Sequence, residues 1–282
     1  KQKHIPPVQK TYTLHYAEDI EVLRETRMKE LRIPLVFDFL ELAVKNGTCW
    51  GLCSRDEAIC YWVYLEKFFA PLYEKSIIEL YIKKGYRQLS DEILYLVTKQ
   101  FEPRGIYVFT DDIFLLSLLL EKRYHFDVAD LILLREKKVD TKHQENLKFC
   151  PISEETFDDA FKIILSEELE NTGIKEEDYL RIKSEIDKDT YWTLIREGIV
   201  AGVAYWTKQR YNNYVTIAPI VQRNYRRQGC GSSMISKLSD HLESKGYQPI
   251  SYISQFNVVA RKAFEKSGFH TAALHILFRL SP

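Results

Sequence analysis

The chain has 282 residues, enough for two domains or one large one, and its 45% hydrophobic content supplies a real core. Forty basic residues balance forty acidic ones, which excludes a global field drawing in nucleic acid or an anionic membrane. The five cysteines (Cys49, Cys53, Cys60, Cys150 and Cys230) are odd in number in a chain that is not small, so no disulfide framework is expected, and no apolar run is long enough to span a bilayer.

The start, Lys1-Gln-Lys-His-Ile-Pro-Pro7, carries no apolar signal region, and a cytoplasmic location is expected. The first elements are a strand near Tyr12 to His15 and helices near Asp19 to Leu31 and Val36 to Lys45. Strands are expected at Thr48 to Ser54, Ile59 to Leu65 and Ile77 to Ile82. Cys49 and Cys53 have the wrong spacing for a CxxC pair and read as apolar strand packing. A helix over Ser90 to Gln100, a strand over Gly105 to Phe109, a helix over Ile113 to Lys122 and a strand over Val128 to Arg135 complete this half. Glu136 to Glu145 is charged and has no apolar period, so it reads as the boundary.

The second half opens with a short strand, Leu147 to Cys150. A helix runs from Ser153 to about Leu169, capped at Ser153-Glu-Glu-Thr156 with Thr where a capping box has Glu. A helical segment near Glu176 to Ile186 precedes strands at Tyr191 to Arg196, Val200 to Trp206 and Tyr214 to Val221. Helix Ser232 to Ser244, strand Pro249 to Ser254, helix Val258 to Ser267 and strand Ala272 to Leu280 follow. The halves therefore repeat one order of elements. Glu121 to Arg135 and Glu265 to Arg279 share six of fifteen residues at a constant offset of 144, and Gly85-Tyr86-Arg87 answers Asn224-Tyr225-Arg226 at a smaller one. Two mixed α/β domains are expected, residues 1–140 and 146–282, each a central mixed sheet flanked by helices.

The most informative stretch is Val221-Gln-Arg-Asn-Tyr-Arg-Arg-Gln-Gly-Cys-Gly-Ser-Ser-Met234, which joins a strand to a helix. Glycine lets a ligand approach the backbone, unpaired N–H groups at a helix start attract anions, and Arg223, Arg226 and Arg227 add charge. The bland alternative is a turn with a solvated basic rim. A P-loop would need Gly-Lys-Ser/Thr after the second glycine, and a dinucleotide fingerprint a small residue where Met234 stands. The first half has Leu89-Ser90-Asp91 instead, and Asp91 is expected to satisfy the helix's orphan N–H groups itself. Only the second half is then expected to hold a phosphate ligand.

On these residues the second half resembles the GCN5-related N-acetyltransferase (GNAT) family. Its pattern Gln/Arg-x-x-Gly-x-Gly/Ala is met by Arg226, Gly229 and Gly231. The later run Asn257-Val-Val-Ala260-Arg-Lys-Ala-Phe264-Glu-Lys266-Ser-Gly268-Phe269 is similar to the family's Asn-x-x-Ala-x-x-x-Tyr-x-Lys-x-Gly-Phe. The resemblance covers about Asn146 to Pro282, and the whole looks like a tandem with a degenerate N-terminal copy.

The resemblance implies acetyl-CoA as co-substrate and transfer of its acetyl group to a primary amine by direct attack in a ternary complex. The pyrophosphate would lie on the backbone of Gln228, Gly229, Cys230, Gly231, Ser232 and Ser233, flanked by Arg226 and Arg227. The pantetheine arm would lie along Ile220 and Val221 at a splay or bulge favoured by Pro219, with Asn257, Ala260, Phe264 and Lys266 from the second motif close by. A backbone N–H near Val221 would polarise the thioester carbonyl.

Phe264 replaces the family's usual tyrosine acid. Tyr252 or Tyr205 is the catalytic candidate in its place, or the thiolate leaves and takes a proton from water. Both tyrosines otherwise read as packing residues with a hydrogen-bonded tip. Glu167 or Glu168 could serve as base, or be solvated helix-surface acids. Cys230 at a helix start beside arginines would have a lowered pKa, although its place in the motif favours a bystander. No metal is expected, since His241, His270 and His275 lack ligand spacing. The acceptor is a small-molecule or peptide amine, with no nucleic acid and no membrane partner. A non-catalytic CoA-binding or interaction module is the alternative.

Overall fold

The computed structural model describes residues 18–31, 49–54, 57–66, 74–139, 146–172 and 190–280. The elements expected at Tyr12 to His15, Val36 to Lys45 and Glu176 to Ile186 lie outside these residues. Those within are found in the order expected: α1 (Glu18–Glu30), β1 (Cys49–Ser54), β2 (Glu57–Leu65), β3 (Ser76–Ile82), α2 (Ser90–Phe101), β4 (Gly105–Phe109), α3 (Ile113–Glu121) and β5 (His125–Arg135). Then follow β6 (Leu147–Pro151), α4 (Glu154–Thr172), β7 (Tyr191–Arg196), β8 (Ile199–Lys208), β9 (Tyr214–Val221), α5 (Cys230–Ser244), β10 (Gln248–Ser254), α6 (Val258–Lys266) and β11 (Phe269–Arg279). No helix among the described residues is long and apolar enough to cross a membrane.

Two compact units form, Lys1–Val128 with His275–Pro282, and Ala129–Leu274. In the first, β1, β2 and β3 make an antiparallel meander, β4 joins β3 in parallel, and the end of β11 pairs antiparallel with β4 from His275↔Phe109 to Arg279↔Gly105. In the second, β6 to β9 form the meander, β10 joins β9 in parallel, and β5 pairs antiparallel with β10 from Ile250↔Leu134 to Ser254↔Asp130. Each unit thus repeats one topology, and each takes its last strand from the other half of the sequence. The division at 140/146 follows the sequence repeat, and the exchanged strands cross it.

In the second unit α5 buries Met234, Ile235, Leu238 and Leu242, a helical stripe, against Val215 and Ile217 on one face of the sheet. Ala160, Phe161 and Ile164 of α4 pack with Val203 and Ile220 on the other. The start of α4 is tied as a box in which Thr156 Oγ1, in the expected place of Glu, accepts from the Ser153 N–H at 3.0 Å. The buried Arg135 guanidinium fastens β5, lying 2.8 Å from Asp240 and 3.3 Å from Glu243 on α5.

The first unit buries charge. Glu79, the one charged residue of β3, lies 2.8 Å from Arg27 Nη1 and 3.5 Å from Arg24 Nη2 on α1, and the Tyr61 hydroxyl donates to it. Burial works against ionisation of Glu79, but the two guanidinium groups outweigh it and hold its carboxyl below the usual range.

Candidate functional site

In the second unit the parallel pairing of β9 with β10 stops at Ile250↔Thr216. Beyond it β9 continues to Val221 against β8, and β10 to Ser254 against β5. At the apex of this gap the Ser251 hydroxyl donates to the Ile217 carbonyl at 3.1 Å. The β8–β9 ladder sets the polarity of the exposed edge. The Gln222 N–H donates to Ala201 O at one end and the Gln209 N–H to Tyr214 O at the other, both at 3.0 Å. Main-chain direction alternates along a strand, so Ile217, Pro219 and Val221 turn their polar groups toward the gap. Pro219 has no N–H to offer a β10 partner there. The register against β8 passes through Ala204↔Pro219 without a shift, so the expected splay is present and a bulge is not.

The glycine turn closes the wide end of the gap. A single 3₁₀ turn, Arg223–Tyr225, leads into Arg227 at φ 61° and Gly229 at φ 80°. Gly229 caps α5 in a left-handed conformation with no side chain bonded to the helix start. The Ser233 N–H is already bonded to Gly229 O at 3.0 Å, so the orphan donors are those of Gly229 to Ser232 and the expected contribution of Ser233 is removed. The Arg226 Nε donates to Val221 O at 2.9 Å, tying turn to strand.

A cavity of about 880 Å³ runs along this gap. Ile220, Val221, Arg226, Arg227, Gly229, Gly231, Ser232, Asn257, Ala260, Phe264 and Lys266 line it, all expected from the sequence, and Lys262 adds a cation that the sequence reading missed. Among the described residues, four cations and no carboxylate line the wall. Arg227, Lys262 and Lys266 have no carboxylate partner among the described residues. The signal for Lys262 was its helical spacing of four from Lys266, which puts both on one face of α6. Asn257 caps α6, accepting from the Ala260 N–H at 3.0 Å. Phe264 is 1% exposed and meets Phe269 edge-on at 4.9 Å.

Other expected residues lie elsewhere. The Gln228 side chain accepts from Arg196 of β7 and donates to Asn224 O at 2.8 Å, bracing the turn. Cys230 is buried beside Met234 in the α5 core, and burial pushes its thiol pKa up, with only partial opposition from Arg196. The expected lowering at a helix start is thereby reversed. Tyr205 stands opposite Ala218 and stacks on Tyr191 at 5.3 Å, while Tyr252 stands opposite Ile132 and its hydroxyl accepts from Gln209 Nε2 at 2.9 Å. By strand alternation both tyrosines share the sheet face of Ile220, away from α5 and α6, and neither lines the cleft. The side chains of Glu167 and Glu168 lie outside the described residues.

The first unit answers each feature differently. Its 3₁₀ turn, Lys84–Leu89, runs straight into α2. The offset between the halves is 139 at the turn starts Lys83 and Gln222, and 141 at the buried Ile93, Leu94 and Val97 against Met234, Ile235 and Leu238. The turn is therefore two residues longer in the second unit, which accommodates the left-handed residues. Asp91 does not cap α2: its carboxylate is 2.6 Å from Lys122. Arg87, the counterpart of Arg226, lies 2.6 Å from Glu30 and over the Phe114 ring. The caps Asp112 and Asn257 differ by 145, so the constant offset of 144 fails inside this helix. In this register Ser117 and Glu121 stand where α6 has Lys262 and Lys266.

Two family models match the chain, that of the acetyltransferase (GNAT) family over residues 157–269 and that of an acetyltransferase (GNAT) domain over residues 16–132. No curated protein sequence matches it. Among solved structures, an acetyltransferase from the GNAT family of Colwellia psychrerythraea is 17% identical with a TM-score of 0.78, covering 95% of this chain and 100% of that one. A GCN5-related N-acetyltransferase from Sphaerobacter thermophilus is 11% identical with a TM-score of 0.65, covering 95% of each. A tandem GNAT protein from the clavulanic acid biosynthesis pathway is 10% identical with a TM-score of 0.61, covering 96% and 99%. At such identities the likeness is one of fold.

Proposed function

Because the chain belongs to the GNAT family of acetyltransferases, as a tandem of two such domains, we propose that it moves an acetyl group from acetyl-CoA to a primary amine, with the co-substrate held by the second unit alone. The observation that carries this reading is the cleft between the split strands and the uncapped start of α5, lined by Arg226, Arg227, Lys262 and Lys266 and by no carboxylate among the described residues. The N–H groups of Gly229 to Ser232 would hold the pyrophosphate, where the helix dipole favours negative charge. The gap-facing main chain of Pro219 and Val221 would align the pantetheine arm, and the Val221 N–H would polarise the thioester carbonyl.

A neutral amine arriving on the face of Ala218, between the positions of Tyr205 and Tyr252, would form its bond to the acetyl carbon as the carbon–sulfur bond breaks, and the acylated nitrogen would then shed its extra proton to water. Orientation supplies much of the rate in such a ternary complex. Phe264 offers the departing sulfur no proton. A thiol of ordinary pKa, about 8.5, is a tolerable leaving group, and water can protonate it. Tyr252, held by Gln209, and Tyr205 are assigned to the acceptor face rather than to the thioester side.

The test is calorimetry of the full chain with CoA, then thiol release from acetyl-CoA against a panel of amines. Binding with transfer to at least one amine is expected, and absence of CoA binding would overturn the assignment. Phe264 favours one second reading, a CoA-binding module without transfer, and binding with no turnover across the panel would select it.

A further inference from the structure

We infer that Lys262 and Lys266 form a second anion subsite in the cleft, one that takes a phosphomonoester and makes the 3′-phosphate of CoA a determinant of binding. The inference rests on the cofactor reading above and goes beyond it. A pyrophosphate carries about two charges, which Arg226, Arg227 and the start of α5 answer at one wall. The lining contributed by α6 adds two more cations one helical turn apart, with no carboxylate among the described lining residues. Arg261, the remaining cation of α6, is paired with Glu265 at 3.5 Å and does not line the cavity. The lysines that do line it are without such a partner among the described residues.

The first unit supplies an internal comparison. It keeps the helix, its cap and its buried face, yet Ser117 and Glu121 occupy the two lysine places. The cation pair is therefore not required by the fold. Lysine ammonium groups act as compact point charges, suited to a terminal phosphate that presents three oxygens. A pantetheine arm attached to a carrier protein has a single phosphodiester and no such group. The site then selects free CoA as donor.

Calorimetry on the full chain should compare CoA with dephospho-CoA, for the native sequence, Lys262→Ala, Lys266→Ala, the double variant and Arg261→Ala. The native chain should bind CoA about tenfold more tightly than dephospho-CoA, the size of one charge-assisted hydrogen bond. The preference should shrink as salt is added. The double variant should bind both ligands alike, at the native affinity for dephospho-CoA, while Arg261→Ala keeps the preference. Equal binding of both ligands by the native chain would overturn this inference and leave the cofactor reading intact. Failure of both to bind would overturn the two together.

Discussion

The Ser267 hydroxyl donates to the Ser232 carbonyl at 3.1 Å, and the same two places in the first unit hold Lys122 and Asp91, 2.6 Å apart. One contact between helices has been kept while its chemistry changed from a neutral hydrogen bond to an ion pair. That shared contact fixes the register between the halves. It places Glu121 where Lys266 stands and leaves the first unit without a cationic wall.

A stoichiometry follows. Arg87 is engaged by Glu30, the turn before α2 is two residues shorter, and Glu121 would repel a phosphate. Calorimetry of the full chain should return one CoA per chain. Two sites of similar affinity would show that the first unit also binds.

The two glycines of the turn should respond differently. A Cβ at Gly231 would meet Val221 Cγ2 at 3.7 Å, an ordinary contact, so Gly231→Ala should keep or slightly raise thermal stability while CoA affinity falls about tenfold, as the methyl stands in the cradle. Gly229 has φ 80°, where an L side chain costs about 1–2 kcal/mol, so Gly229→Ala should lower both stability and affinity. Thermal melts beside calorimetry separate the two signatures.

Glu79→Gln breaks a buried network and leaves Arg24 and Arg27 under-compensated, with an expected loss of about 3–5 kcal/mol in the first unit by chemical denaturation. The pH dependence has a definite sign. The folded carboxyl of Glu79 is held below its unfolded value of about 4.3, so its contribution is complete above that pH and disappears as pH falls through the lower folded value. Acid unfolding of the native chain should carry this component below about pH 4, and the variant should lack it.

Removing residues 275–282 takes the antiparallel partner from β4, whose five residues are all buried. Such a truncation should abolish cooperative folding of the first unit and expose an aggregating edge, seen as loss of its melting transition and as light scattering. An unchanged melt would contradict the exchange of terminal strands.

The described elements were legible because their apolar periods are strong, and Asn257 to Phe269 was legible as a cofactor segment through its resemblance to the family's motif. Other features were not. Arg196 braces the glycine turn from a strand 32 residues away, a distance no local pattern carries. Tyr205 and Tyr252 looked equivalent to cleft residues in sequence, and only the strand registers assign them to the other face.

By itself the sequence determined two copies of one α/β order, a glycine turn in the second and its loss in the first, and its resemblance to the family marked Phe264 as standing where a tyrosine is usual. These depend on short-range spacing, which the chain carries in one dimension. Only the tertiary structure decided that the terminal strands change places, that β9 and β10 part after Thr216 and Ile250, that burial raises rather than lowers the Cys230 pKa, and that Lys262 joins the cationic lining of the cleft. Each of those depends on which distant residues meet and how much water remains between them, and on that the local pattern is silent.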